Sequence, residues 1–272
     1  LKPVEIVTHE SVRRRGGGFS TCGCWYTDTE FVLKGLQIMC GIAGFVNDMP
    51  IDVKCPVLQR MTDMIAHRGP DSEGHYIDEH AALGHRRLSI IDLGGGQQPI
   101  YNEDGSKVIT FNGEIYNYQT LREELIAAGH TFTTKSDTEV LLHGYEQWGV
   151  DLLQRVRGMF TFVIWDKNKQ ELFGARDHFG IKPFYYAKMN GTFMYASEIK
   201  SLLRHPDFVK ELNAEALKPY MTFQYPAIGE TFFKGVYKLP EGHYFTYRDG
   251  KMDIHRYYDE DFREGKQKLG EL

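Results

Sequence analysis

Met39-Cys40-Gly41-Ile42-Ala43-Gly44 is the stretch from which the rest of this 272-residue chain is read. Ile42–Val46 spells a short apolar strand. Just ahead of it, Cys40 becomes residue one of a mature chain once an aminopeptidase removes Met39. Its thiol then sits beside a free α-amine, whose ordinary pKa of about 7.7–8.0 leaves a useful fraction neutral at cellular pH. That amine can take the thiol proton, directly or through a water, so one residue supplies both nucleophile and base. Gly41 lets the backbone approach a ligand closely. Taken alone, Cys40 fits a buried, inert thiol better than a nucleophile. The residues downstream have to decide.

Residues 1–38 differ in character from the rest of the chain. They carry Arg13-Arg14-Arg15, then Gly16-Gly17-Gly18, then Cys22-Gly23-Cys24. The glycines interrupt the apolar stretch a secretory signal needs, and a single Cys-x-Cys pair without further ligands is a weak metal signal. The segment reads as extraneous leader, as a propeptide or targeting arm, or as sequence upstream of a true start at Met39. Composition is that of an ordinary globular chain, 42% hydrophobic and 25% charged. The net charge of −5 has the wrong sign for a general nucleic-acid binder. Mean hydropathy is −0.42, and no apolar run approaches the roughly 20 residues of a membrane helix. Four cysteines are too few for a disulfide framework and fit a reducing cytoplasm.

Beyond Val46 the pattern is mixed. Helices are expected over Val57–Ala66, Asn117–Ala128 (closed by Gly129), from the Ser136-Asp137-Thr138-Glu139 capping box to Gly149, over Glu198–Arg204 and over Leu212–Met221. Strands are expected within Ala82–Ile91 and over Val108–Phe111. Hairpins pair Met159–Trp165 with Glu171–Ala175, Phe184–Ala187 with Thr192–Ala196 around Asn190-Gly191, and Gly242–Tyr247 with Ile254–Tyr258 around Asp249-Gly250. Residues 259–272 read as a linker or the first turns of a helix. Periodicity alone supports only a mixed α and β domain with helices early and hairpins late.

Six blocks occur in order: Met39 to Gly44, His67-Arg68-Gly69-Pro70-Asp71, Arg87-Leu88-Ser89-Ile90-Ile91-Asp92, Asn112-Gly113-Glu114-Ile115-Tyr116-Asn117, Ser136 to Glu139, and Gly174-Ala175-Arg176-Asp177-His178-Phe179-Gly180. Together they resemble the class II glutamine amidotransferase domain, in particular the N-terminal half of glutamine-hydrolysing asparagine synthetases. The resemblance implies an α+β fold of the N-terminal nucleophile hydrolase type, a four-layer αββα sandwich with two antiparallel sheets between helical layers. It implies a glutaminase domain over 39–258 that turns L-glutamine into glutamate and ammonia. The segments Arg176–Pro183, Ser197–Lys200 and Lys238–Gly242 favour the asparagine synthetase type over glucosamine-phosphate or phosphoribosylamine-forming relatives. A non-catalytic domain on the same fold remains open while Cys40 is internal.

The resemblance also assigns roles. Cys40 is the nucleophile, with its own α-amine as base. Arg87 grips the substrate carboxylate, which suits a planar guanidinium; Arg86, one residue away on a strand, faces the other side. Asn112 and Gly113 supply the oxyanion hole, although Asn-Gly after a strand is also a common turn. Glu114 and Asp137 flank the substrate α-ammonium, and Asp137 also suits the first turn of a helix. His67, His85 and His178 are expected to be structural, and Cys55 to have no role. No metal is expected: the eleven histidines show no zinc-type spacing, and no Walker loop is present. No cofactor is implied for the glutaminase half. ATP and Mg²⁺ belong to a synthetase domain that is missing here or carried on another chain, because its Ser-Gly-Gly-x-Asp-Ser loop does not occur. The remaining implied partners are that synthetase domain and a homodimer mate in the full-length enzyme, with no nucleic acid and no membrane.

Overall fold

The structure, a computed structural model, describes residues 40–88, 96–224 and 229–260. The expectations for the leader with Cys22 and Cys24, for Met39, for residues 89–95 and for the linker beyond residue 260 lie outside the described residues.

Among the described residues, twelve strands form two sheets. Six belong to the first: β1 (Gly41–Val46), β2 (Ser72–Ile77), β3 (Ala81–Arg87), β8 (Tyr185–Met189), β9 (Thr192–Ala196) and β10 (Val236–Lys238). Their order is β10-β8-β9-β1-β3-β2. The second holds β4 (Ile100–Tyr101), β5 (Lys107–Ile115), β6 (Gly158–Asp166), β7 (Glu171–Arg176), β11 (His243–Arg248) and β12 (Lys251–Arg256), in the order β12-β11-β7-β6-β5-β4. Every pairing is antiparallel. The helices are α1 (Ile51–Asp63), α2 (Tyr118–Ala127), α3 (Asp137–Trp148), α4 (Leu152–Arg155), α5 (Ile199–Leu202) and α6 (Ala214–Phe223).

Strand alternation explains the layering. Val108, Val163, Trp165 and Leu172 of the second sheet meet Ile42, Leu83, Phe193 and Tyr195 of the first in a core between the sheets. The opposite face of the second sheet, with Ile109, Phe111, Phe162 and Phe173, packs on Leu121 and Leu125 of α2 and Val140, Leu141 and Tyr145 of α3. The outer face of the first sheet, with Ala43, Phe45 and Ala82, packs on Val57, Leu58 and Met61 of α1 and Leu202 of α5. The result is the αββα sandwich expected from the resemblance.

Several boundaries differ from the sequence reading for physical reasons. Helix α1 begins at Ile51, not Val57, with Pro56 inside it. Proline so near the start removes a single backbone hydrogen bond, so it marks no boundary, and Cys55 lies on the exposed side of the helix. Strand β2 has no counterpart among the expected elements, because the edge strand Ser-Glu-Gly-His-Tyr-Ile is half exposed and carries no clean alternation. Strand β5 does not stop at Phe111. It runs on to Ile115, pairing Asn112 with Thr161 and Gly113 with Phe160, so Asn112-Gly113 is strand and not turn. The capping box forms by half. Ser136 Oγ accepts the Thr138 N–H at 3.1 Å, but Glu139 turns away to accept from the Thr133 and Thr134 amides, each at 2.7 Å.

Candidate active site

The end of β3, the middle of β5 and the start of α3 meet around the beginning of β1. One pocket there is lined by Cys40, Arg87, Leu88, Gly96, Gln98, Phe111, Gly113, Glu114, Ser136, Asp137 and Thr138. Five of the six residues singled out by sequence therefore share one cavity. The sixth, Asn112, does not line it. By strand alternation its side chain turns between the sheets, next to the lining Gly113.

Cys40 is half-buried at the pocket wall. The Leu88 N–H donates to Sγ at 3.3 Å, and the thiol faces the Leu88 carbonyl oxygen at 3.6 Å. Burial pushes the thiol pKa up. The Leu88 amide and the charges of Arg87 and Lys182 pull the other way without overcoming it. A thiol held protonated in this way needs a base to become a nucleophile. The backbone of Cys40 is anchored as well. Arg68 Nε donates to its carbonyl oxygen at 3.1 Å, and Arg68 Nη1 donates to Glu198 Oε1 at 3.1 Å. Glu198 also pairs with His67 at 2.9 Å and Lys200 at 2.9 Å. The blocks His67–Asp71 and Ser197–Lys200 thus act by holding the residue that leads into β1. Gly41 packs closely against the protein: a Cβ there would lie 2.9 Å from Ile65 Cδ1 and 3.3 Å from Arg68 Cδ, so both side chains would have to give.

Strand β5 prepares a row of donors. Beyond the two residues of β4, the N–H groups of Phe111, Gly113 and Ile115 all point to the same sheet edge. Phe111 N–H donates to Gln98 Oε1 at 2.6 Å. Ile115 N–H donates to Asp137 Oδ2 at 2.9 Å. The Gly113 N–H points out between them, into the pocket. No side chain fits here without a backbone shift, since a Cβ on Gly113 would lie 2.2 Å from the Met159 carbonyl oxygen. On the other face of the strand, Asn112 is buried and its Nδ2 has no hydrogen-bond partner among the described residues. An unmet buried donor is costly to the fold, and a buried amide beside a cavity invites a ligand atom.

Asp137 is 6% exposed at the first position of α3. Burial, more than the neighbouring charge of Glu114, pushes its carboxyl above the usual range, against the pull of the Ile115 and Thr138 amides. Arg87 faces the same space from β3. Arg86, on the opposite face, is occupied by Asp63 and Glu73 at 2.5 and 2.6 Å. His85 is fully buried; its Nε2 donates to the Phe111 carbonyl oxygen at 3.0 Å, which steadies β5. Arg176 and Asp177 build the next loop: Arg176 donates to the carbonyls of Lys182, Leu239 and Gly180, and the Asp177 carboxylate accepts from the amides of Phe160, Phe179, Ile181 and Lys182. That loop brings the buried Lys182 toward Cys40.

Sequence reasoning missed Gln98, Leu88 and Thr138. Gln98 completes the edge of β5 with its side chain, accepting from Phe111 and donating to Thr138 Oγ1 at 3.3 Å. The sequence before it, Gly94-Gly95-Gly96-Gln97, suits a turn, and nothing local says that the glutamine would replace a strand.

A glutamine amidotransferase domain family matches residues 39–258. Glutamine-hydrolyzing asparagine synthetase 1 of Bacillus subtilis is 46% identical over 229 residues, covering 83% of this chain and 36% of that protein. Amidase chry2 of Gibberella zeae is 37% identical, covering 81% of this chain and 34% of its own length. The chain thus spans about a third of the length of these curated relatives. Among solved structures, glutamine phosphoribosylpyrophosphate amidotransferase of B. subtilis superposes with a TM-score of 0.59 at 18% identity, over 80% of this chain and 49% of that one; at that identity the likeness speaks for the fold alone. With residues 39–258 matched, this chain belongs to the glutamine amidotransferase domain family.

Proposed function

We propose that this domain, once Cys40 is freed as the first residue, hydrolyses glutamine to glutamate and ammonia. One observation carries the reading: a thiol, a guanidinium, two carboxylates and an outward-pointing strand N–H converge on one cavity. Arg87 binds the α-carboxylate of glutamine in a two-pronged hydrogen bond. Glu114 and Asp137 receive the α-ammonium. The side-chain amide then lies toward Cys40.

The α-amine of Cys40 takes the thiol proton and sulfur attacks the amide carbon. Negative charge moves to the carbonyl oxygen, where Gly113 N–H receives it at the pocket wall; the unpartnered Asn112 Nδ2–H, which does not line the resting pocket, joins it by turning toward the substrate oxygen. On collapse of the tetrahedral species the C–N bond breaks, the proton held by the amine goes to the leaving nitrogen, and ammonia departs. A glutamyl thioester remains. Water, deprotonated by the same amine, attacks it, and glutamate and the thiol are restored. The thiol, the amine and both donors come from the chain itself, so these steps call on no cofactor. A cytoplasmic setting keeps such a thiol reduced.

The relatives support asparagine formation from aspartate as the destination of the ammonia. In that reading ATP and Mg²⁺ act in a synthetase portion that these residues do not form, and residues 39–258 are the glutaminase unit. The test is glutamate release by the chain beginning at Cys40, compared with its Cys40→Ala variant. Release by the first and none by the second is expected. Equal release by both, or none by either, refutes the proposal.

A further inference from the structure

A second cluster of chemistry-bearing side chains lies on the far side of α3 from the pocket. Glu103 sits in the turn between β4 and β5, His130 comes after α2, and His143 and Glu146 stand three residues apart on α3, hence on one face. One ligand-type atom from each of the four lies within 4.8 Å of all the others. His143 Nδ1 is 2.9 Å from Glu146 Oε2 and 3.6 Å from Glu103 Oε2. His130 Nδ1 is 3.9 Å from Glu103 Oε1 and 4.0 Å from Glu146 Oε2.

We propose that Glu103, His130, His143 and Glu146 form a structural site for a divalent transition metal, Zn²⁺ in the first place. Two imidazole nitrogens and two carboxylates are a ligand set suited to Zn²⁺. Metal–ligand bonds of about 2.0–2.2 Å in a tetrahedron set ligand atoms roughly 3.3 Å apart. The His143 separations of 2.9 and 3.6 Å bracket that value; the looser ones, 4.0 Å from His130 to Glu146 and up to 4.8 Å across the set, close by roughly 0.6–1.5 Å when an ion is bound.

The surroundings suit an ion, which would take the place of the proton now held between His143 Nδ1 and Glu146 Oε2 at 2.9 Å. In each histidine the ring nitrogen that turns away from the cluster faces a side-chain oxygen. His130 Nε2 is 3.2 Å from Gln147 Oε1, and His143 Nε2 is 3.6 Å from Glu139 Oε1. A metal-binding imidazole has its far N–H directed at an acceptor so that the near lone pair faces the metal; His130 has such an acceptor at hydrogen-bond distance, and His143 faces one that lies beyond it. His143 is 1% exposed, and its Nε2 has no hydrogen bond within ordinary length among the described residues. Glu146 is oriented too: Asn102 Nδ2 donates to its Oε1 at 2.7 Å, with Lys107 Nζ at 3.7 Å, which leaves Oε2 for the site. Glu103 Oε1 accepts the Thr131 N–H at 3.2 Å, leaving Oε2 toward His143. An ion here ties the β4–β5 turn and the loop after α2 to α3, the helix whose first residue, Asp137, lines the glutamine pocket. The ligands span three separate segments, so no spacing in the sequence announces them; the site departs from the expectation of no metal.

The test uses the 272-residue chain stripped with a chelator and titrated with Co²⁺, then Zn²⁺. One Co²⁺ per chain is expected, with the visible absorption of a four-coordinate ion and without the near-ultraviolet band that Cys22, Cys24 or Cys40 as ligand would add. Zn²⁺ should displace the cobalt and raise the melting temperature. Glu103→Gln, at an exposed turn, and His130→Gln should each weaken binding at least tenfold, and Glu139→Gln about tenfold through the His143 ring. Absence of a stoichiometric Co²⁺ complex, a thiolate band, or unchanged affinity in the Glu103 and His130 variants overturns the proposal.

Discussion

Replacement of Asn112 by alanine should separate catalysis from stability. Asn112 is 1% exposed and its Nδ2 finds no acceptor among the described residues. In the resting fold that donor is an expense of about 1–3 kcal/mol, and truncation removes it. The same truncation leaves a void of roughly 25–30 Å³, which costs about 0.6–0.7 kcal/mol at about 24 cal/mol per Å³. The two oppose each other, so Asn112→Ala should unfold within about 1–2 kcal/mol of the parent. The rate should respond otherwise. If Nδ2–H meets the developing oxyanion, its loss removes about 2.7–4 kcal/mol from the transition state, a fall of roughly 10²–10³ in kcat. KM should barely move, because the bond forms only as charge develops. The assay is steady-state glutamate release by the chain beginning at Cys40, with urea unfolding of the same samples. A kcat within threefold of the parent, or a loss that tracks unfolding, refutes the reasoning.

Other perturbations probe other parts of the site. Asp137→Asn should raise KM for glutamine at least tenfold. Burial holds the Asp137 pKa above its unfolded value, so the group's stability contribution is present at low pH, where the carboxyl is protonated, and is lost as pH rises through that raised value, leaving a burden at neutral pH; the variant, which can still accept from Ile115, should melt no lower than the parent at pH 7. Arg87→Lys loses the two-pronged grip and should raise KM tenfold or more with a smaller change in kcat, read from initial rates. His85 is held neutral by burial, and to a lesser extent by the Arg87 charge, with its pKa pushed down to about 3. Its contribution is complete above about pH 6.5 and is lost toward pH 3, at about 1.4 kcal/mol per pH unit. In urea unfolding at pH 6.5, 5.5 and 4.5, His85→Gln should remove about that much of the slope; an unchanged slope contradicts it.

Local chemistry made the hairpins legible. Asn190-Gly191 and Asp249-Gly250 both adopt positive φ at their two central residues, 49° and 83° in one and 49° and 72° in the other, the backbone a tight two-residue turn needs. The helix from Asp137 was legible from its cap. What stayed hidden depends on distant partners. Asn112-Gly113 spells a turn, yet β6 lies alongside and offers Thr161 and Phe160 as ladder partners, so the strand continues through it. Glu139 suits a capping box, yet the Thr133 and Thr134 amides compete for it and win. Gln98 reaches Phe111 across 13 residues of sequence, and Arg68 reaches Cys40 across 28. Such contacts come from the closing of the sandwich and leave no mark in nearby residues. The pocket residues were recoverable because the blocks that carry them occur together and in order.

A thiol whose own residue is its base is the central claim, and trapping tests it most directly. The chain starting at Leu1 and the chain starting at Cys40 are each treated with the reactive glutamine analogue 6-diazo-5-oxo-L-norleucine, and the modified peptide is identified by mass spectrometry. One adduct on Cys40 in the shorter chain, and none at Cys40 in a longer chain that keeps Met39, is the predicted result. Equal labelling of Cys40 in both, or labelling elsewhere, would contradict the claim.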